Sequence, residues 1–227
     1  LSTGLNRVSW NARYESLFKI PEGIVMWGQS QGAPRVVPGR YQVRATVGDW
    51  SDTQSFEVRG DPRLETTQAE YLEQLDLAQA VGLRIAGLYA ELHRLREVKS
   101  QATEIGERVE RAGYGDDVSA AAVVLSEQLT AIESELTQLE GEGGQDALNF
   151  PGRLDNQFVA LYNSVAEADR RPSAGVQERF ADIQPGLAEL LEQVEVTLAT
   201  ELPRFNELVR SKGVSAIIVS QEADARR

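Results

Sequence analysis

The single histidine of this 227-residue chain, His93, stands between Leu92 and Leu95, and the chain holds no cysteine to join it. Thiolate metal sites and thiol nucleophiles are therefore excluded, as are two-histidine metal sites and any hydrolase triad built on a different histidine. A lone histidine in a helical stretch reads as a surface or rim residue. Carboxylates are abundant: Glu104, Glu107, Glu110, Glu133, Glu135 and Glu140 lie close in sequence. Two acids hydrolyse a glycoside only when they face each other across a cleft. These six are expected on polar helical faces. The stretch GEGGQDALN, residues 141–149, lacks both the alternating oxygen ligands of a calcium loop and the lysine of a phosphate loop. No cofactor, metal or catalytic set emerges, and the chain reads as a non-enzyme. The remaining residues with binding chemistry are aromatic. Trp10, Trp27 and Trp50, with Tyr41, all fall in the first quarter of the chain and are the candidate partner contacts. Exposed rings stack on sugars or anchor protein interfaces, whereas buried ones fill a core; Trp50, beside a turn, is the one expected at the surface.

Charge narrows the partners. Net charge is −12, and residues 1–62 carry 7 basic and 6 acidic groups against 16 and 29 for the rest, so the imbalance sits in the second part. Such a surface repels phosphate backbones and anionic headgroups and attracts basic protein surfaces. Nucleic acid is not an expected partner. The chain opens LSTGLNRV without methionine and holds no apolar run of membrane-spanning length, so it reads as a processed chain or a fragment of a longer one.

The elements that must position these residues follow from periodicity. Strands are expected at Leu5 to Trp10, Ile24 to Trp27, Arg40 to Val47 and Thr53 to Val58, the last two forming a hairpin about Gly48-Asp49 with Tyr41, Val43, Ala45 and Val47 on a buried face. From Thr66 the spacing becomes helical. Helices are predicted over about 66–112, 117–140, 151–169 and 173–212, followed by a tail at 214–227 with the apolar run VSAIIVS. Asp116 or Asp117 is a natural cap for the second helix, Pro151 suits a first helical position, and Pro185 and Pro203 are expected to kink or interrupt the fourth. The second helix carries a seam at Val118, Ala122, Leu125, Leu129, Ile132, Leu136 and Leu139, alternating four and three. The expected architecture is mainly α with a small β domain: an immunoglobulin-like, incomplete β-sandwich over 1–62, then an antiparallel four-helix bundle over 63–213.

Two stretches carry a family resemblance. GLNRVSWNARY, MWGQSQGAPRVVPGRYQVRATVGDW and FEVRGDPR form the first, and GQDALNFPGRLDNQFVALYNSVAEADRRP the second. Together they resemble the C-terminal region of large bacterial exported proteins of the sortilin-like or glycosyl-hydrolase BNR-repeat β-propeller type. The resemblance implies an immunoglobulin- or fibronectin-like module followed by helices, in an extracytoplasmic or periplasmic setting. A hydrolase activity would belong to the propeller, whose repeats this chain lacks, so no catalytic residue is carried over. The expected role is a noncatalytic interaction or scaffolding module, an accessory structural subunit docking on a larger protein assembly that is extracytoplasmic or embedded in a membrane. The alternative is a carbohydrate-binding accessory module of a glycan-active β-propeller enzyme.

Overall fold

A computed structural model describes residues 4–24, 26, 28, 30, 32–143 and 145–215. It is mainly helical. Its elements are strands β1 (Gly39–Val47) and β2 (Trp50–Val58) and helices α1 (Gln68–Arg111), α2 (Asp116–Leu136), α3 (Leu154–Ala166) and α4 (Ala174–Ser211), with one 3-10 turn at Asp146–Leu148. No helix among the described residues is long and apolar enough to cross a membrane.

The hairpin forms where alternation predicts it. β1 and β2 pair antiparallel from Gly39↔Val58 to Val47↔Trp50, leaving Gly48 and Asp49 as a two-residue loop. Gly48 takes φ 58°, the positive value a primed turn requires at its first central position and a side chain would strain. The sheet stops at two strands. An immunoglobulin-like sandwich is thus not shown; what is present is a small antiparallel sheet. Leu5 to Trp10, expected as a strand, forms none, and Leu5 and Val8 are almost fully exposed. Apolar alternation alone did not supply a neighbouring strand. Of Ile24 to Trp27, Val25 and Trp27 lie outside the described residues, as does the tail from residue 216 onward.

The chain divides into two compact units. The first gathers residues 1–21, 28–86 and 157–182. Here residues near Ala12 and Pro34 run side by side, through the Tyr14 N–H donating to Pro34 O at 2.9 Å and the Val36 N–H donating to Ala12 O at 3.0 Å. Phe18, Ala33 and Val36 are buried, as are Val81 and Ile85 of α1 and Phe158, Tyr162 and Val165 of α3. The Phe18 and Tyr162 rings meet edge to face at 5.0 Å. Arg13 Nη2 donates to both carboxylate oxygens of Glu167 at 2.9 and 3.0 Å, which ties the leading segment to the residue just past α3. The Gln74 amide donates to the carbonyls of Val165 and Ala168, satisfying two helix-end acceptors that burial would otherwise orphan. Phe158 and Phe180 meet edge to face at 6.4 Å, joining α3 to the first turns of α4.

The second unit gathers residues 22–27, 87–156 and 183–227. The predicted stripes are its core: Leu88, Leu92, Leu95, Ala102 and Val109 of α1, Val118, Leu125, Leu129 and Leu136 of α2, and Leu187, Val194, Leu198 and Phe205 of α4. By this division α1 and α4 contribute to both units, α2 lies in the second and most of α3 in the first.

Five local details add to or differ from expectation. α1 starts with a capping box that the sequence contains as Thr67-Gln68-Ala69-Glu70: the Thr67 N–H donates to Glu70 Oε2 at 2.8 Å and the Glu70 N–H to Thr67 Oγ1 at 3.3 Å. α2 is led by Gly115 at φ 79°, with Asp116 and Asp117 inside its first turn, where their charge suits the helix dipole without capping it. It ends at Leu136, so Leu139 of the predicted seam lies past the helix and is exposed. α3 begins three residues after Pro151, and α4 runs unbroken through Pro185 and Pro203. Both prolines and the residues four positions earlier, Ala181 and Ala199, are exposed, so water takes the freed carbonyls while the opposite face stays packed.

Candidate functional site

Pairing residue against residue sorts the hairpin into two faces. Gly39/Val58, Tyr41/Phe56, Val43/Gln54, Ala45/Asp52 and Val47/Trp50 share one face, and Arg40/Glu57, Gln42/Ser55, Arg44/Thr53 and Thr46/Ser51 the other. The first face is the one sequence reasoning assigned to a core. Only one end of it is covered. Trp10 packs on Tyr41 and Phe56 with ring centroids 5.9 Å from each, and those two rings stack at 6.0 Å. The Trp10 indole N–H donates to Arg13 O at 3.0 Å and the Tyr41 hydroxyl to Val37 O at 2.7 Å, which set both rings. Burial, with a hydrogen bond and charge from Tyr14 behind it, pushes the Tyr41 pKa up to about 12, so it remains a neutral donor. Beyond Tyr41 the face is open: Val43 is 57% exposed, Val47 50% and Trp50 58%.

The structure thus brings together Trp10 and Tyr41, adds Phe56 to them, and leaves Trp50 at the far end beside the turn. Trp10 is half-exposed rather than core. Trp27 lies outside the described residues. Phe56 was legible in the alternation of β2, since a residue facing Tyr41 across a hairpin joins its cluster. A two-stranded sheet also leaves one backbone edge of each strand unpaired among the described residues.

The acids resolve differently. His93 is exposed on α1. Of the six carboxylates expected on polar faces, Glu133 is a correction: it is 3% exposed, with Arg96 Nε donating to one oxygen at 2.6 Å and Lys99 Nζ to the other at 2.5 Å. Glu133 lies on the α1-facing side of α2, next to the seam, where only the partner helix reveals that bases meet it. Asp155 is also buried. The Thr137 hydroxyl donates to its Oδ2 at 2.7 Å and the Asn156 N–H to its Oδ1 at 2.6 Å, and burial holds its carboxyl above the usual range. Burial, then the charge of Asp155, raises the Tyr89 hydroxyl pKa too. Each carboxylate oxygen of Glu133 and Asp155 accepts a bond from its own chain, an arrangement that suits ties between helical elements. Among the described residues no group of three histidine, cysteine or acidic side chains converges as a metal site would require.

Comparison with protein-family models, with curated proteins and with solved structures gives no significant match to this chain. The resemblance to exported β-propeller proteins therefore rests on the two quoted stretches alone.

Proposed function

We propose that this chain is a noncatalytic interaction module, an accessory structural subunit that docks through its hairpin on a larger extracytoplasmic or membrane-bound assembly. In this reading α1 to α4 act as an antiparallel four-helix bundle that carries an incomplete immunoglobulin-like module. The observation that supports it is the apolar face of the hairpin, uncovered from Val43 to Trp50 beside unpaired strand edges. Apolar area of this kind gains on the order of 25 cal/mol per Å² when a partner removes it from water. Strand addition would at the same time satisfy the edge backbone groups.

The test is a charge placed where a partner must pack. Val43→Glu should abolish co-purification of stoichiometric partners from the native envelope while leaving the helical circular dichroism unchanged. A wild-type protein that is recovered alone and monomeric, with no partner to lose, overturns the reading. A glycan-binding role is favoured by one observation, the exposed Trp50 ring. Retained glycan-array binding that disappears on Trp50→Ala would select it instead.

A further inference from the structure

α2 carries no basic residue in its 21 positions, DDVSAAAVVLSEQLTAIESEL. Its inward face is the buried seam, yet its outward side is not polar throughout: Val123 and Val124 are 54% and 53% exposed. Where it borders α1 there is a groove of about 300 Å³. The groove exists because the two backbones approach closely. A Cβ added to Gly106 would stand 2.9 Å from the Ala122 Cβ, so the floor is formed by small residues and the walls by longer ones. Those walls are Val123 and three carboxylates, Glu107 and Glu110 from α1 and Glu127 from α2. Among the described residues none of the three enters an ion pair, whereas Glu133 and Glu135 of the same helix both do.

We infer that the groove between α1 and α2 takes a basic amphipathic helix of a partner protein. Its charge selects the occupant. An apolar side chain of the incoming helix fills the space over Ala122 and Val123, and Lys or Arg residues one turn apart reach the carboxylates on either wall, as in helix-in-groove recognition. A second copy of the chain is disfavoured, because it would bring the same acidic walls together at a net charge of −12 per chain. A metal ion is disfavoured because the carboxylates line the groove without converging. This inference uses a different surface from the hairpin and stands independently of it.

The experiment uses the full chain and a synthetic helical peptide with leucines on one face and lysines on the other. A control peptide has every lysine replaced by glutamate. Because the chain lacks cysteine, Thr103→Cys carries a single fluorophore at the groove. The lysine peptide should bind and the glutamate peptide should not. Glu107→Gln, Glu110→Gln and Glu127→Gln combined should weaken binding about tenfold, and Val123→Ser should weaken it without changing its salt dependence. The matched triple Glu140→Gln, Glu189→Gln and Glu192→Gln, none of which lines the groove, should leave affinity within about twofold. Circular dichroism confirms that each variant is folded. Equal weakening by both triple variants would mean attraction to overall charge only and would overturn the site, as would absence of binding by the lysine peptide.

Discussion

Asp155, almost wholly out of water at the start of α3, shows what one residue does to the pH dependence of this fold. Burial raises its pKa in the folded chain above the value of the unfolded chain, despite the opposing hydrogen bonds from Thr137 and Asn156. The protonated form is therefore the one that folding favours. Its contribution to stability is full below the unfolded carboxylate pKa and is lost as pH rises through the higher folded value. Asp155→Asn keeps the shape and removes the ionisation, so urea midpoints should show the variant gaining on the wild type as pH rises above the ordinary carboxylate range. A variant that loses ground over that rise would mean the carboxylate is stabilised as an anion. Glu133 is a different buried acid. Both its oxygens are held by bases that are themselves a quarter to a third exposed, so its charge is compensated while its partners still reach water. In sequence nothing distinguishes either residue from the exposed acids elsewhere in the chain.

At the scale of elements, helix propensity and interhelical contact can be separated with two glycines of α1. A Cβ at Gly87 meets nothing within 4 Å, whereas one at Gly106 meets the Ala122 Cβ at 2.9 Å. Gly87→Ala should therefore stabilise the chain by about 1 kcal/mol through helix propensity alone. Gly106→Ala gains the same propensity but forces α1 and α2 apart, and denaturation midpoints should place it below the wild type. If both substitutions stabilise equally, the close approach is not a constraint in solution. The helices themselves were legible from spacings of three and four, and the α2 seam is buried from Val118 to Leu136, but Leu72 is exposed, and the buried Tyr71, Tyr89, Val159 and Tyr162 were not singled out by that spacing. Ends were less so. Leu139 missed the core because α2 closes at Thr137, whose hydroxyl is taken up by Asp155, a contact between residues 18 apart in sequence.

At the scale of the molecule, order should follow cover. A two-stranded hairpin open to water on most of one face and along its edges has little to hold it beyond its own ladder and the Trp10 cluster. In native-state hydrogen exchange the amides of β1 and β2 should be the least protected of any regular element, and those near Leu92 and Leu129 the most. Protection of the hairpin comparable to that of Leu129 would mean that its apolar face is covered in solution, and would point to association through that face.

What the sequence by itself determined is local. Period-two alternation from Arg40 to Val58 defines a hairpin with one apolar face, and periods of three and four from Leu72 to Phe205 define helices with one apolar stripe each, because repeat spacing follows directly from backbone geometry. What only the tertiary structure decided is what lies opposite each face. The stripes of α1, α2 and α4 find one another and become core, while the face of Val43, Val47 and Trp50, which Gln54 and Asp52 share, meets no second sheet among the described residues. Periodicity records that a face is apolar, but burial depends on contacts between residues distant in the chain, and those exist only once the helices have packed.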